Sequence, residues 1–472
     1  MDKKAAATEG VKTLLGDPRR AVRKLSVPMM FAMFCQALYN IADGIWVAGL
    51  GADALASVGL FFPFFMVIIA LGAGLGVGGS SAVSRRIGMS DKKGADNTAI
   101  HTILLGVIVA LALSAPMLPF LESIFKSFSG SEKVGSLAAS YAEVLFGGTV
   151  ILVFSHISGA LLRGEGDAKR AMKGMIAGSI LNIFLDPVFI YVLDMGVRGA
   201  AVATVISMMV SALLFSYWLF FKGDTYLKIT LRDFVFSRSI LREILGVGVP
   251  SSLAQLSMSV AMLVINKIVI RAGGTDGVAV FTSGWRIVML GVIPLIGIAT
   301  GVVAVTGAAY GAGNRVKLKA AYYYSLRMAL IIEVVVAGLT FLFAGQLAHI
   351  FAYSEGSARI LDELVTFLRI ICLFYPAVPF GMLTSAMFRG VGKGSRSLIV
   401  TIIRAIILQV PVVYLFGIIM GMGLTGIWIG IVTGNVVATF ITFSWGVYTV
   451  NRIPLHRAEK PSEPIITQDF IS

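Results

Sequence analysis

Apolar runs of about 20 or more residues follow one another along nearly the whole chain, separated by shorter stretches rich in glycine, lysine and arginine. A run of that length crosses ~30 Å of hydrocarbon as a helix at 1.5 Å rise per residue. The pattern predicts an all-α polytopic membrane protein with twelve spanning helices. They are α1 25–49, α2 56–82, α3 99–121, α4 137–162, α5 174–193, α6 199–221, α7 246–271, α8 280–308, α9 321–345, α10 360–388, α11 397–419 and α12 424–449. The first run follows a polar, basic leader without a small-residue cleavage signature, so it reads as a true span rather than a signal peptide. Twelve spans place both termini on one side. The termini and alternate loops hold about 29 lysines and arginines against about 5 on the other side, which predicts cytoplasmic termini.

The chain repeats itself. RGEGDAKRAMKG (163–174) is echoed by RGVGKGSRSLIV (389–400), MGVRGAAVATV (195–205) by MGLTGIWIGIV (422–432), and Pro28 near the start of α1 by Pro250 near the start of α7. The expected organisation is a leader 1–24, an N-lobe 25–221, a connector 222–245, a C-lobe 246–450 and a tail 451–472, with leader, connector and tail cytoplasmic. Six helices per lobe is an even number, so both lobes enter the membrane in the same sense. A pseudo-two-fold axis along the membrane normal must relate them, with a cleft between lobes that can open to either side. A channel, a scaffold or a membrane enzyme could also be built on a repeated bundle; the repeat favours transport.

Composition agrees with the pattern. The chain is 57% hydrophobic and 14% charged, with a mean hydropathy of +0.88, which excludes a soluble globular domain. The net charge of +14 does not point to nucleic acid, because the basic residues cluster between apolar runs instead of forming a stripe on a soluble face. Cys35 and Cys372 lie in opposite halves and lack metal or disulfide spacing; they read as small buried hydrophobes.

Against this apolar background a few polar residues stand out. In α1, Gln36, Tyr39, Asn40 and Asp43 follow i, i+3, i+4, i+7 spacing and share a face; in α5, Asn182 and Asp186 are i, i+4. Asp43, Asp186 and Thr204 of α6 fall at nearly one depth, Asp43 about 9 Å below the outer edge. A carboxylate in hydrocarbon costs several kcal/mol unless paired, hydrated or protonated. No lysine or arginine falls within the six predicted N-lobe spans, so the two acids have no fixed cationic partner. Their cluster favours a protonated carboxyl or a bound cation, either proton or sodium, the sodium set being Asp43, Asn182, Asp186 and Thr204. Gln36, Asn40, Met175 and Met208 are the expected substrate-cavity residues. Pro187 is an expected hinge, since a mid-helix proline frees a carbonyl one turn back. The competing reading is a static kink beside polar residues that only tie helices together. Glu333 in α9 reads as a cavity-facing or hydrogen-bonded glutamate and His156 as a structural residue. Lys267 and Arg327 can snorkel from helix ends, while Arg369 and Arg404 lie deeper.

LYNIADGIWVAGLG in α1, LLRGEGDAKRAM after α4, LNIFLDPVFIY in α5 and GVRGAAVATVIS opening α6 together resemble the multidrug and toxic compound extrusion (MATE) family, and within it the DinF-like prokaryotic branch. The resemblance covers essentially all twelve helices. It implies an antiporter that expels amphipathic, often cationic compounds using an inward proton or sodium gradient. It also implies a monomer in a prokaryotic plasma membrane, in contact with lipid and small organic substrates, and without cofactor. The branch's coupling positions fall on Tyr39, Asp43, Asn182, Asp186 and Thr204, and its helix-bending proline on Pro28. The sodium-driven branch is similar in using C-lobe acids in α7 and α10. Here α7 has none and α10 has only Asp362 and Glu363 at its outer end, which places coupling in the N-lobe. Flippases of lipid-linked or polyanionic substrates in the wider superfamily are the alternative, and would want basic residues along the cleft. No catalytic constellation of an enzyme converges in the spans.

Overall fold

The computed structural model describes residues 8–351 and 359–453. The start of the predicted leader, the loop 352–358 and most of the predicted tail lie outside the described residues. Every regular element among the described residues is helical. Nine of these helices are long and apolar enough to cross a membrane, or eleven when each of two bent pairs counts as one span. One of them is the 74-residue run Arg238–Gly311. Straight, it would extend for ~110 Å. It is broken instead at Gly274 (φ 60°, ψ −148°), a conformation closed to most side chains, and therefore crosses twice. The molecule has the twelve-helix, two-lobe fold.

The observed helices are α1 Pro18–Ala48, α2 Ala52–Gly88, α3 Lys92–Met117, α5 Ala168–Pro187, α6 Gly196–Ser216, α9 Arg315–Leu342 and α12 Gly423–Arg452; α7 and α8 are the two arms of the broken run, and α11 is the segmented span Gly394–Ile419. Four features differ from the sequence reading. The expected loop between α7 and α8 is a single glycine break. α4 consists of Glu132–Gly147 and Thr149–Gly164 bent by 50°, and α10 of Leu361–Phe374 and Val378–Gly390 bent by the same angle. The fifth helix of each lobe loosens into a π turn near its outer end, Val188–Val192 in α5 and Leu415–Ile419 in α11. Finally, α2 and α4 run further than predicted, so Arg85, Arg86 and Arg163 belong to their last turns. The N-lobe helices α1 to α6 do contain lysines and arginines; except for Lys133 in the first turn of α4 and Arg198 in the first turn of α6, they lie at the end that carries the basic loops, called the inner end below.

Each lobe has its own apolar core. One is gathered from Phe61, Phe125, Phe146, Leu161 and their neighbours, the other from Phe281, Phe367, Tyr375 and Trp428. The lobes meet through glycines placed equivalently in the two repeats. A Cβ on Gly74 or Gly78 of α2 would strike Ser252 Oγ or the Ile244 carbonyl of α7, and one on Gly297 or Gly301 of α8 would strike Met30 or Ser26 of α1. At the inner end the symmetry repeats, Gly88 against the Ala308 carbonyl and Gly311 against the Arg85 carbonyl. Ser252 donates to the Ala70 carbonyl at 2.8 Å and Ser81 to the Arg389 carbonyl at 2.5 Å. Glu243 of α7 accepts from Arg86 at 2.6 Å and pairs with Arg85 at 3.5 Å. The inner end is thus closed. Pro28 sits inside an unbroken α1.

Candidate functional site

The polar residues singled out in α1, α5 and α6 converge. Asp186 is fully buried and its Oδ1 accepts from Asn182 Nδ2 one turn earlier, at 3.3 Å. The carboxyls of Asp43 and Asp186 approach each other across the α1–α5 contact, close enough for their charges to interact. Tyr39, Asn182 and Thr204 are all buried and line one small cavity with Gly178, Ser179, Ser207 and Met208, too tight to hold a water molecule. Gly178 lets α5 and α6 approach, since a Cβ there would meet Ser211 Oγ at 2.2 Å.

Four buried oxygens of this cluster lack a hydrogen-bond partner: Asp43 Oδ1, Asp186 Oδ2, Asn182 Oδ1 and Ser207 Oγ. Unpaired polar atoms in a dry interior each cost about 1–3 kcal/mol, and two carboxylates this close cannot both hold a charge without a proton or cation between them. The donor set fits both. A proton shared by the acids would satisfy two of the four oxygens, and hard oxygen ligands suit sodium.

The remaining predicted residues are less tightly gathered. Gln36 is half-buried and Asn40 exposed on the same face of α1. Met208 lines the cavity, but Met175 does not; its sulfur lies 4.0 Å from the Arg163 guanidinium toward the inner end. Glu333 is not hydrogen-bonded: it is fully buried, and neither carboxyl oxygen has a partner. Glu363 accepts from Trp428 Nε1 at 2.7 Å, which ties α10 to α12. Two members of the N-lobe site were missed. Ser207 follows Thr204 by three residues and shares its helical face, so periodicity could have found it. Tyr141 of α4, buried and close enough to feel the charges of Asp43 and Asp186, carries no sequence signal of its own.

The sequence profile of the MatE family matches residues 28–188 and 250–415, one block in each lobe. The chain belongs to the MatE family. This MatE chain is 27% identical over 420 residues to the probable multidrug resistance protein NorM of Thermotoga maritima, spanning 88% of this chain and 89% of the relative. It is 25% identical over 411 residues to the multidrug export protein MepA of Staphylococcus aureus, spanning 86% and 89%. A solved structure described as the outward-facing conformation of a multidrug resistance MATE family transporter superposes with a TM-score of 0.93 at 53% identity, covering 95% of this chain and 99% of the other. MatE proteins are membrane transporters, not enzymes, and this one is a multi-pass transporter of the multidrug efflux type.

Proposed function

We propose that this transporter is a cation-coupled antiporter of the prokaryotic plasma membrane, acting as a monomer. It exports amphipathic, often cationic organic compounds, with Asp43 and Asp186 exchanging a proton or sodium ion once per cycle. The inner end is cytoplasmic in this reading. The observation that carries it is the set of four unpartnered oxygens gathered from α1, α5 and α6. With the inner end closed, the acids are free to attract a cationic substrate or an external ion, but not both. Ion entry neutralises the pair, lets α1 re-pair with Asn182 and Asp186, and allows it to bend at Pro28, so substrate leaves outward. The ion then departs toward the cytoplasm in an inward-open state. The polyanion-flippase alternative gains nothing from Arg404, which packs its side chain against Gly381 of α10.

Asparagine at either acid removes the charge and nearly preserves the shape. Asp43→Asn and Asp186→Asn proteins are expected to fold, reach the membrane and lose gradient-driven efflux by at least tenfold. Asp53→Asn, which removes a surface pairing with Lys133 at 2.7 Å, is expected to transport normally. Efflux from proteoliposomes under separately imposed proton and sodium gradients is the measurement, and it also identifies the ion. Normal coupled efflux by either helix variant at matched expression would reduce the acids to structural glue.

A further inference from the structure

One turn outward of each acid stands an aromatic side chain, and the two are joined. Tyr191 Oη donates to the carbonyl of Trp46 at 2.5 Å, and the rings meet edge to face with centroids 6.2 Å apart. Trp46 follows Asp43 by three residues in α1; Tyr191 follows Asp186 by five. In a regular α-helix a residue five positions on points well away from the first. The π turn Val188–Val192, closed by Leu193 N–H to the Val188 carbonyl at 2.9 Å, winds the chain less tightly and turns Tyr191 back toward the side that holds Asp186. Tyr191 is 43% exposed while Asp186 is fully buried, and Trp46 Nε1 is buried with no partner.

The C-lobe supplies a natural comparison. It keeps a π turn at the equivalent place, Leu415–Ile419. The repeat register that pairs Pro28 with Pro250 puts Ile265 and Ile268 opposite Asp43 and Trp46, and the register of the Met195 and Met422 motifs puts Ile418 opposite Tyr191. The turn therefore belongs to the fold, whereas the aromatic pair occurs in the lobe that has the acids.

We propose that the Trp46–Tyr191 pair is the outer gate of the acid site: an ion exchanges between the outside and Asp43 and Asp186 when the Tyr191 hydroxyl releases the Trp46 carbonyl. Tyr191 is a positioning residue; it touches neither acid nor ion and sets how often the site opens. The proposal rests on the coupling role given to the two acids above.

Two variants loosen the gate by independent routes. Tyr191→Phe removes the donor and keeps the ring. Gly49→Ala keeps the donor but pushes it aside, because a Cβ on Gly49, whose backbone is helical, would lie 2.3 Å from Tyr191 Oη. In proteoliposomes holding the full chain, both are expected to raise two rates about fivefold, the factor a single net hydrogen bond is worth. One is modification of Asp43 and Asp186 by a hydrophobic carbodiimide added outside, read by mass spectrometry. The other is ion leak without substrate. Maleimide labelling of Cys372, buried in the C-lobe, should not change. Wild-type carbodiimide and leak rates in both variants, with Asp43→Asn inactive, would overturn the gate and leave the coupling site standing. A parallel rise at Cys372 would mean general loosening and would also overturn it. Coupled efflux retained by Asp43→Asn would overturn the coupling site itself, and the gate with it.

Discussion

Hydrocarbon makes individual acidic residues readable, because an unpaired carboxyl there needs a reason. Asp43 and Asp186 declared themselves in the sequence for that reason, and spacing within their helices named Tyr39, Asn182 and the α1 face. Ser207 and Tyr141 did not, since a serine or tyrosine in a membrane helix can satisfy itself or sit at an interface and carries little penalty to explain. Outside the spans the same physics acts on Glu165, which follows α4 and is 1% exposed, with its Oε2 accepting from the Leu227 N–H at 2.9 Å. Burial lifts its carboxyl from the usual 4.5 to about 8, against the opposing hydrogen bond from Leu227. Between those values the folded protein keeps a proton that the unfolded chain has lost, so stability falls as pH rises from about 4.5 to about 8 and changes no further above that. Glu165→Gln retains an acceptor for Leu227 and removes this dependence. Melting curves of the two proteins in detergent should run together near pH 5 and diverge toward pH 8, with the glutamine variant the more stable. Parallel curves over that range would show that Glu165 is already ionised in the folded protein.

Helices were legible as apolar runs, but their interruptions were not. The breaks in α4 and α10 and the π turns of α5 and α11 leave the apolar count unchanged, so hydropathy passes over them; Pro187 marked one of them, as a hinge rather than as the start of a wider turn. Nor did the glycines reveal which of them lie against the other lobe, because small residues serve any close helix pair. In the structure they set how α2 meets α7 and α8. A Cβ on Gly311 would lie 1.9 Å from the Arg85 carbonyl, a backbone atom with no freedom to swing away. Overpacking of this kind costs about 1–3 kcal/mol, and the cost falls on the state in which the inner end is closed. Gly311→Ala should therefore shift the population toward the inward-open state by about fivefold or more. Spin labels in place of Lys169 and Val316, both exposed and on opposite lobes, would report this as a larger long-distance fraction in double electron–electron resonance. An unchanged distance distribution would show that backbone contact is not what holds the inner end shut.

At the scale of the whole molecule, the internal repeat carried most of the information. An even number of helices per repeat forces the lobes into parallel orientation, and the paired glycines at Gly74 and Gly297, Gly78 and Gly301, and Gly88 and Gly311 display the resulting two-fold relation in the closed interface. The repeat also shows where symmetry was abandoned, since Asp43, Asp186, the oxygens beside them and the aromatic pair above them belong to one lobe. The proposed orientation of this bundle rests on charge alone: basic loops resist transfer across the membrane, which would hold the closed end in the cytoplasm. Cysteines placed at Ser127 and at Val235, both exposed and at opposite ends of the bundle, test that placement in a background lacking Cys35 and Cys372. An impermeant maleimide added to intact cells should modify the cysteine at 127 and reach the one at 235 only after lysis. Labelling of both from outside would mean that the closed end faces out. The acids would then meet their coupling ion from the cytoplasm, and the direction of the proposed cycle would have to be reversed.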